Sequence, residues 1–194
     1  DLRAGSRERW RILNAAAVNI DDVIIENFGG TGTNGRGITI ETTAANVRVN
    51  VTNTNLYNIN GIGIHSVPGG GSVRLVLNNV NIDRGGASGV QIGPNTTAVI
   101  DSSAITNHSV GDAVTIEQAS SSLSISNSLL ANNVNGVFSG VAGQAPTTRL
   151  YGNVITANTS NGLLISSGTV ISLGNNMIRG NAGNETPTQT IGTN

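Results

Sequence analysis

A phrase of strand-forming and turn-forming residues recurs along most of this chain. One copy runs from Val73 to Ile92: two alternating strands joined by an Asn-Asn turn, then a glycine-rich loop and a third short strand. Related copies follow at intervals of roughly 22 to 31 residues. Because one such unit cannot bury its apolar face alone, the repeat predicts units that stack on one another.

Three columns of residues keep their register from copy to copy. The turn between the first two strands of a copy contains Asp22, Asn53, Asn79, Ser102, Asn127, Asn153 and Asn175. The turn after the second strand contains Asn27, Asn58, Arg84, Asn107, Asn132, Asn158 and Gly180. A small residue precedes the third strand at Gly37, Gly63, Gly89, Ala113, Gly136 and Gly162. Since Asn tolerates left-handed backbone and stacked amides can hydrogen-bond, the columns predict an asparagine ladder.

The composition of the copies favours strands. Val, Ile, Thr, Asn, Ser and Gly dominate, and no stretch has the apolar period of a helix. We therefore predict an all-β parallel β-helix of about seven coils, with three short strands in each coil. The residues predicted to point inward are Val51, Leu77, Ile100, Ile125, Leu56, Ile82, Ile105, Leu130, Ile40, Ile92, Ile116 and Ile165.

The two ends depart from the repeat. A helix capped by Ser6 would place Trp10, Leu13 and Ala17 on one face as an end cap. Alternatively, Ile12–Asn14 resembles the opening strand of a truncated first coil. The polar tail is expected to be extended or disordered. The predicted division is a leader, partial coil or end cap, then the β-helix, then the tail: 1–15, 16–183 and 184–194.

Composition argues against several functional classes. All ten basic residues are arginines, their one short cluster is Arg7 to Arg11, and the net charge is −1, so nucleic-acid binding is not predicted. The absence of cysteine excludes a disulfide scaffold and thiolate chemistry. Apolar runs are too short for a membrane span. The acidic residues are scattered, so neither a metal site nor a cofactor is predicted.

The Gly-(Ile/Val)-x-Ile strand and the Asn columns resemble the right-handed parallel β-helix, or pectate-lyase-like, superfamily over residues 16–183. The resemblance implies right-handed coils and a scaffold used by polysaccharide lyases, glycoside hydrolases, tail spikes and adhesins. Polygalacturonase-like members use Asn-x-Asp, Asp-Asp, Gly-His-Gly and Arg-x-Lys motifs. Here Asp21-Asp22 lies in the first coil, His65 is not followed by glycine, and lysine is absent. That catalytic set is therefore missing.

Stacking nevertheless brings weak catalytic candidates together. One outward column is predicted to hold Glu26, Tyr57, Asp83 and Thr106, with Arg84 nearby. Two coils separate the carboxylates of Glu26 and Asp83, a spacing of about 9–10 Å that overlaps that of inverting glycosidases. Asp83, Glu26 and Arg84 are thus the catalytic candidates, and Tyr57 is a ligand-binding candidate.

Other ligand-binding candidates lie on two further columns. One is predicted to contain Thr39, His65, Gln91 and Thr115, with Glu41 and Glu117 at neighbouring strand ends. In this column His65 is a candidate base or ligand and Gln91 a candidate contact, although an ordinary surface histidine explains His65 as well. Arg48 and Arg74 are predicted to stack in successive coils, where they either bind an anionic sugar or are simply solvated.

The favoured hypothesis is a non-catalytic module, either a structural rod or a ligand- or carbohydrate-binding surface, within a larger secreted, periplasmic or cell-surface protein. The alternative is a polysaccharide lyase or glycoside hydrolase that acts on an acidic polysaccharide. A polysaccharide is accordingly one expected partner. Self-association through exposed coil ends is another, because unpaired strand edges accept further strands.

Overall fold

The computed structural model describes residues 10–13, 15–30 and 35–192. These residues form short strands and no helix. The strands are β1 (Trp10–Ile12), β2 (Ala17–Asp21), β3 (Ile24–Glu26), β4 (Ile38–Ile40), β5 (Val47–Thr52), β6 (Asn55–Tyr57), β7 (Ile64–Ser66), β8 (Val73–Asn78), β9 (Asn81–Asp83), β10 (Val90–Ile92), β11 (Thr96–Asp101), β12 (Ala104–Thr106), β13 (Val114–Ile116), β14 (Ser122–Ser126), β15 (Leu129–Ala131), β16 (Asn135–Ser139), β17 (Thr147–Tyr151), β18 (Val154–Thr156), β19 (Asn161–Ile165), β20 (Thr169–Ser172), β21 (Met177–Ile178) and β22 (Gln189–Thr190).

Three parallel sheets run the length of the molecule. Sheet A has the order β1-β4-β7-β10-β13-β16-β19, and sheet B has the order β2-β5-β8-β11-β14-β17-β20-β22. Sheet C has the order β3-β6-β9-β12-β15-β18-β21. Each coil contributes one strand to each sheet and pairs with the coils on either side, as β5 does with β2 and β8. The prediction of an all-β parallel β-solenoid with about seven turns of three strands is confirmed.

Alternating side chains build the core. In β5, Val47, Val49 and Val51 are fully buried, whereas Arg48 is exposed. Pairing places Val51 beside Leu77, and the same column continues through the later coils. The predicted inward residues on sheets B and C are buried. On sheet A, Ser66 and Ser139 interrupt the isoleucine column.

The backbone adopts a left-handed conformation at the corners between strands. In the first turn, Asn53 and Asn79 have φ values of 48° and 53°. The sixth copy differs from the prediction, because Gly152 and Ala157 occupy the left-handed positions assigned to asparagines. The asparagines that follow them, Asn153 and Asn158, are buried instead. The glycine column is confirmed: a Cβ on Gly63 would lie 2.6 Å from the Gly89 carbonyl oxygen.

Inside the second turn, the buried side chains change character along the solenoid. The early coils place Phe28 and Ile59 there, whereas the later coils place Asn133 and Asn158. Asn133 Nδ2 donates to the Ile105 carbonyl at 3.1 Å. The Oδ1 of Asn133 accepts a hydrogen bond from the main chain of the preceding coil. Asn158 repeats this arrangement one coil later. These buried amides form the inner asparagine ladder of the later coils.

A second inner ladder follows the first turn. Ser103 Oγ accepts from Val80 N at 3.1 Å, and Ser128 Oγ accepts from Ser103 N at 3.1 Å. Asn153 Oδ1 then accepts from Ser128 N at 3.0 Å, and Asn176 Oδ1 accepts from Asn153 N at 3.0 Å. Serine and asparagine therefore satisfy buried backbone donors that stacking alone leaves unpaired.

The ends extend the stack. Trp10–Ile12 pairs with Ile38–Ile40, a third strand of a coil, so the prediction of a helical face containing Trp10 is wrong and this segment is not the opening strand of a coil. The proposed cap at Ser6 lies outside the described residues. In the tail, Gln189–Thr190 adds a short strand to β20. Glu185 Oε1 accepts hydrogen bonds from the main-chain N of Asn181 at 2.8 Å and from its Nδ2 at 3.1 Å, which ends the inner ladder.

Candidate functional site

A polar cleft of about 340 Å³ opens at the turn after the strands of sheet C. Its lining comes from three successive coils: Asn58, Asn60, Arg84, Gly85, Gly86, Asn107 and Ser109. The main-chain N of Asn58 donates to the Asp83 carbonyl, and that of Arg84 donates to the Thr106 carbonyl. These bonds hold the three turns side by side. The cleft therefore spans three coils rather than belonging to one loop.

Two glycines, Gly85 and Gly86, form the middle row of this cleft. A Cβ on Gly85 would point at the buried ring of His108, 2.3 Å away. A Cβ on Gly86 would lie 2.3 Å from the Asn60 carbonyl oxygen, which a substitution could not relieve by moving a side chain. The Gly-Gly pair in the loop is the sequence signal for this cleft, and we did not interpret it as a site.

Arg84 supplies the positive charge of the cleft. Its backbone is left-handed, with φ of 57°, and its Nε donates to Asp83 Oδ2 at 2.8 Å. The side chain is 67% exposed, whereas that of Asp83 is 13% exposed. The guanidinium is thus anchored at one nitrogen and still accessible to an acceptor from solution.

Asp83 is held by the neighbouring coil. Its Oδ1 accepts from Thr106 Oγ1 at 2.9 Å and from Asn107 Nδ2 at 2.6 Å. Burial alone would raise the pKa of Asp83, but the hydrogen bonds from Asn107, Arg84 and Thr106 outweigh it and lower the pKa. The carboxylate is therefore a stable, ionised acceptor that joins two coils.

The same arrangement occurs at a carboxylate that was not a site candidate. Asp101 Oδ1 accepts from Ser126 Oγ at 2.6 Å and from Asn127 Nδ2 at 3.0 Å. The hydrogen bond from Ser126 is the main reason that the pKa of Asp101 is lowered.

Asp21 forms a third example. Its Oδ1 accepts from Thr52 Oγ1 at 2.6 Å and from Asn53 Nδ2 at 2.9 Å. The bond from Thr52 is the largest cause of the lowered pKa of Asp21. We call each such unit a carboxylate clasp: an Asp that ends a strand, with the Thr-Asn or Ser-Asn pair of the next coil.

The predicted column of Glu26, Tyr57 and Asp83 is present on sheet C. Tyr57 lies in register between the two carboxylates. Its hydroxyl donates to Asn55 Oδ1 at 3.2 Å and accepts from Asn81 Nδ2 at 3.1 Å. Tyr57 is thus tied along its own sheet, and neither it nor Glu26 lines the cleft.

The column of Thr39, His65, Gln91 and Thr115 is also present, on sheet A. His65 is only 7% exposed, so the expectation of a surface histidine is wrong. Gln91 Nε2 donates to Glu117 Oε1 at 3.2 Å. Neither His65 nor Gln91 is brought to the cleft.

Arg48 and Arg74 occupy neighbouring strands of sheet B in direct register, as predicted. Both are exposed, and they lie on a face that the cleft does not include. Of the candidate residues, the structure therefore brings only Arg84 and its partner Asp83 to the cleft or its edge.

His108, which follows Asn107 in the loop, lies fully buried beneath the cleft. Its Nδ1 lies 2.7 Å from the Ala87 carbonyl oxygen, and a Cβ on Gly85 would lie 2.3 Å from the ring. Burial lowers the pKa of His108, although the carbonyls of Ala87 and Ile82 and the charge of Asp83 oppose this. The ring thus fills space that Gly85 leaves open.

Within residues 10–13, 15–30 and 35–192, no group of three or more His, Cys, Asp or Glu side chains is arranged to hold a metal ion. In the same part of the chain, no helix is long and apolar enough to cross a membrane. Comparison with protein-family models, curated proteins and solved structures finds no match to the chain.

Proposed function

We propose that this chain is a non-catalytic β-solenoid module that binds a hydroxyl-rich ligand, such as a carbohydrate, in the cleft at Arg84. The observation that carries the proposal is the carboxylate clasp at Asp83. Because Asp21 and Asp101 are held in the same way, the clasp is explained by coil stacking and requires no reaction.

The chemistry of Asp83 supports this interpretation. A general acid needs a raised pKa so that it carries a proton near neutral pH, whereas the pKa of Asp83 is lowered. Its three hydrogen bonds also occupy most of the lone-pair sites of the carboxylate, two on Oδ1 and one on Oδ2. Glu26 lies two coils away with Tyr57 between them, which leaves no second acid beside the cleft.

The lining of the cleft suits sugar hydroxyls. Asn58, Asn60 and Ser109 offer donors and acceptors, and the accessible guanidinium of Arg84 favours a ligand with an acidic group. No aromatic residue lines the cleft, so recognition would depend on hydrogen bonds rather than on ring stacking.

A binding and cleavage assay over a panel of neutral and acidic polysaccharides tests the proposal. Binding without product is the expected result. Asn60→Ala should weaken binding about tenfold, which is the loss of one good hydrogen bond. Gln118→Ala removes an amide side chain outside the cleft and should have no effect. Cleavage of any member of the panel would contradict the non-catalytic assignment.

The alternative proposal is a lyase or hydrolase that acts on an acidic polysaccharide. The register of Glu26 and Asp83 favours it, as does the resemblance to right-handed, pectate-lyase-like β-helices. If cleavage occurs, Asp83→Ala should abolish it while the circular dichroism spectrum is retained. Full activity in that variant would remove Asp83 from the reaction.

We also propose that the module belongs to a secreted, periplasmic or cell-surface protein and that its coil ends can self-associate. At the C-terminal end, β22 already pairs with β20, which leaves less free edge on sheet B. Analytical ultracentrifugation at rising concentration measures the association. A strict monomer at every concentration would argue against it.

A further inference from the structure

Sheet B carries an outward row of hydrogen-bond donors along the whole solenoid. Beginning after Ala17, the row consists of Arg48, Arg74, Thr97, Ser122, Thr147 and Thr169. We call it the donor row. Its members lie on successive strands, so they repeat about every 4.8 Å along the axis. Two cations are followed by four hydroxyl groups.

The side chains of the donor row are not used by the fold. Within the described part of the chain, none of the six has a side-chain hydrogen bond or an ion pair. The outward row at the other end of the same strands behaves differently. There Thr52 donates to Asp21, and both Asn78 and Ser126 donate to Asp101. Bonding between coils is therefore common on this sheet, and the donor row stands apart from it.

Among the residues that the structure describes, neither arginine forms an ion pair. Arg48 and Arg74 are directly opposite on neighbouring strands, an arrangement in which like charges repel. Along the sheet, the nearest clasp carboxylates belong to Asp21 and Asp101, four residues further along the strands. Their backbone positions are therefore about 13 Å along the strand axis from those of the arginines, so neither carboxylate lies directly beside the pair.

We propose that Arg48 and Arg74 together bind a tetrahedral oxyanion, a sulfate or a phosphate, and that the hydroxyl groups of the donor row orient the chain carrying it. Arginine presents a planar fork of donors that matches such oxyanions, and two adjacent forks would share one group. The ligand class is a sulfate or phosphate ester of an extended, hydroxyl-bearing polymer. This site is on a different face from the cleft and does not depend on the function proposed there.

Thermal unfolding in sodium sulfate, sodium phosphate and sodium chloride at matched ionic strength tests the arginine pair. Sulfate or phosphate should raise the Tm of the wild type more than chloride does, in part because these ions are excluded from any protein surface. Arg48→Gln or Arg74→Gln should reduce that difference, whereas a control variant should keep it. Arg149→Gln is the control, because Arg149 lies on the same sheet between Ser124 and Ile171 rather than beside another arginine. Equal shifts in all three salts, or the same loss in the control, would overturn the proposal.

The variants also separate binding from a structural role. Without oxyanions, Arg48→Gln and Arg74→Gln should leave the Tm unchanged or raise it, because a repulsion is removed. A lower Tm in both would mean that the arginines support the fold, and the proposal would fail.

Titration calorimetry with dextran sulfate and unmodified dextran distinguishes a polymer ligand from a free ion. Dextran sulfate should bind the wild type at least about tenfold more tightly than free sulfate, since several groups engage at once. Thr97→Ala should weaken this binding but leave the sulfate shift in Tm intact. Equal affinities for polymer and free sulfate would overturn the part of the proposal that concerns the donor row.

Discussion

The early and late coils close the inside of the same turn with different chemistry. In the early coils Phe28 and Ile59 fill it with apolar side chains, whereas in the late coils Asn133 and Asn158 fill it with hydrogen-bonded amides. Apolar packing changes gradually with the size of a side chain. A buried amide ladder is less tolerant, because each lost member leaves unpaired groups on both neighbours. One backbone geometry thus accepts two interiors that respond differently to mutation.

The largest loss of stability is expected in the aliphatic column of the core, which runs through both the early and the late coils. Ile105 lies in the aliphatic column of sheet C, only three residues before the ladder position of His108. Ile105→Asn would bury an amide without partners, and we expect a loss of about 4 kcal/mol or complete unfolding. Chemical denaturation measures it. An unchanged midpoint would mean that asparagine is tolerated anywhere inside the coils and would remove the distinction between column and ladder.

A smaller loss is expected within the ladder. Asn158→Leu keeps a similar volume but leaves the main-chain N of Asn133 without its acceptor and removes the amide that donates to the Leu130 carbonyl. We expect a loss of about 3 kcal/mol in the free energy of unfolding. Ser124→Ala, which removes a side chain without a hydrogen bond in the same half, should change it by less than about 0.5 kcal/mol. If Asn158→Leu stabilised the protein, the late coils would accept apolar side chains inside this turn as the early coils do.

At the end of the ladder the effect should be smaller still. Glu185→Ala removes the acceptor for Asn181, but the site is only half-buried and water can replace it. A loss of about 1 kcal/mol is expected, with faster hydrogen exchange at the Asn181 amide. Glu185→Gln retains the accepting oxygen and should resemble the wild type. If Glu185→Gln and Glu185→Ala destabilise the protein equally, the negative charge of Glu185, and not its accepting oxygen, stabilises the end of the ladder.

The smallest expected effect is a pH dependence of the stability. It arises from His108, which lies between the early and the late coils. Burial lowers the pKa of His108 below its usual value of 6.5. Near and below that pH the unfolded chain therefore binds more protons than the folded chain, and stability falls as the pH falls. We expect the wild type to lose stability between about pH 7 and pH 5 and His108→Asn to lose less. Parallel pH profiles of the two proteins would show that His108 does not contribute.

Much of the fold follows from the sequence because stacking makes each position repeat. The columns through Leu77 and Ile105, and the small residue before each third strand, could be assigned from spacing alone. Asn153 and Asn158 could not be assigned correctly. Because the spacing of the repeat varies, the sequence does not distinguish an asparagine at a left-handed corner from one in the buried position that follows it.

The site was less accessible to prediction. Stacking correctly placed Asp83 in one column with Glu26, but it did not indicate that Thr106 and Asn107 hold the carboxylate. That depends on side-chain geometry between coils, which the repeat does not determine. The burial of His65 was missed as well, because the repeat places its side chain on the outward side of the strand but does not determine what covers it.

Gly85 and His108 occupy the same position of the second turn in consecutive coils, and the ring of His108 fills the space that Gly85 leaves open. A side chain at Gly85 would collide with the imidazole, and a coil that followed Ile59 directly would have no room for His108. Deleting the coil that contains Gly85 would therefore not yield a shorter solenoid, because the coils with Ile59 and His108 would then be stacked directly on each other. Among descendants of this sequence, residues 85 and 108 should change together, and coil duplications should copy or lose them as a pair.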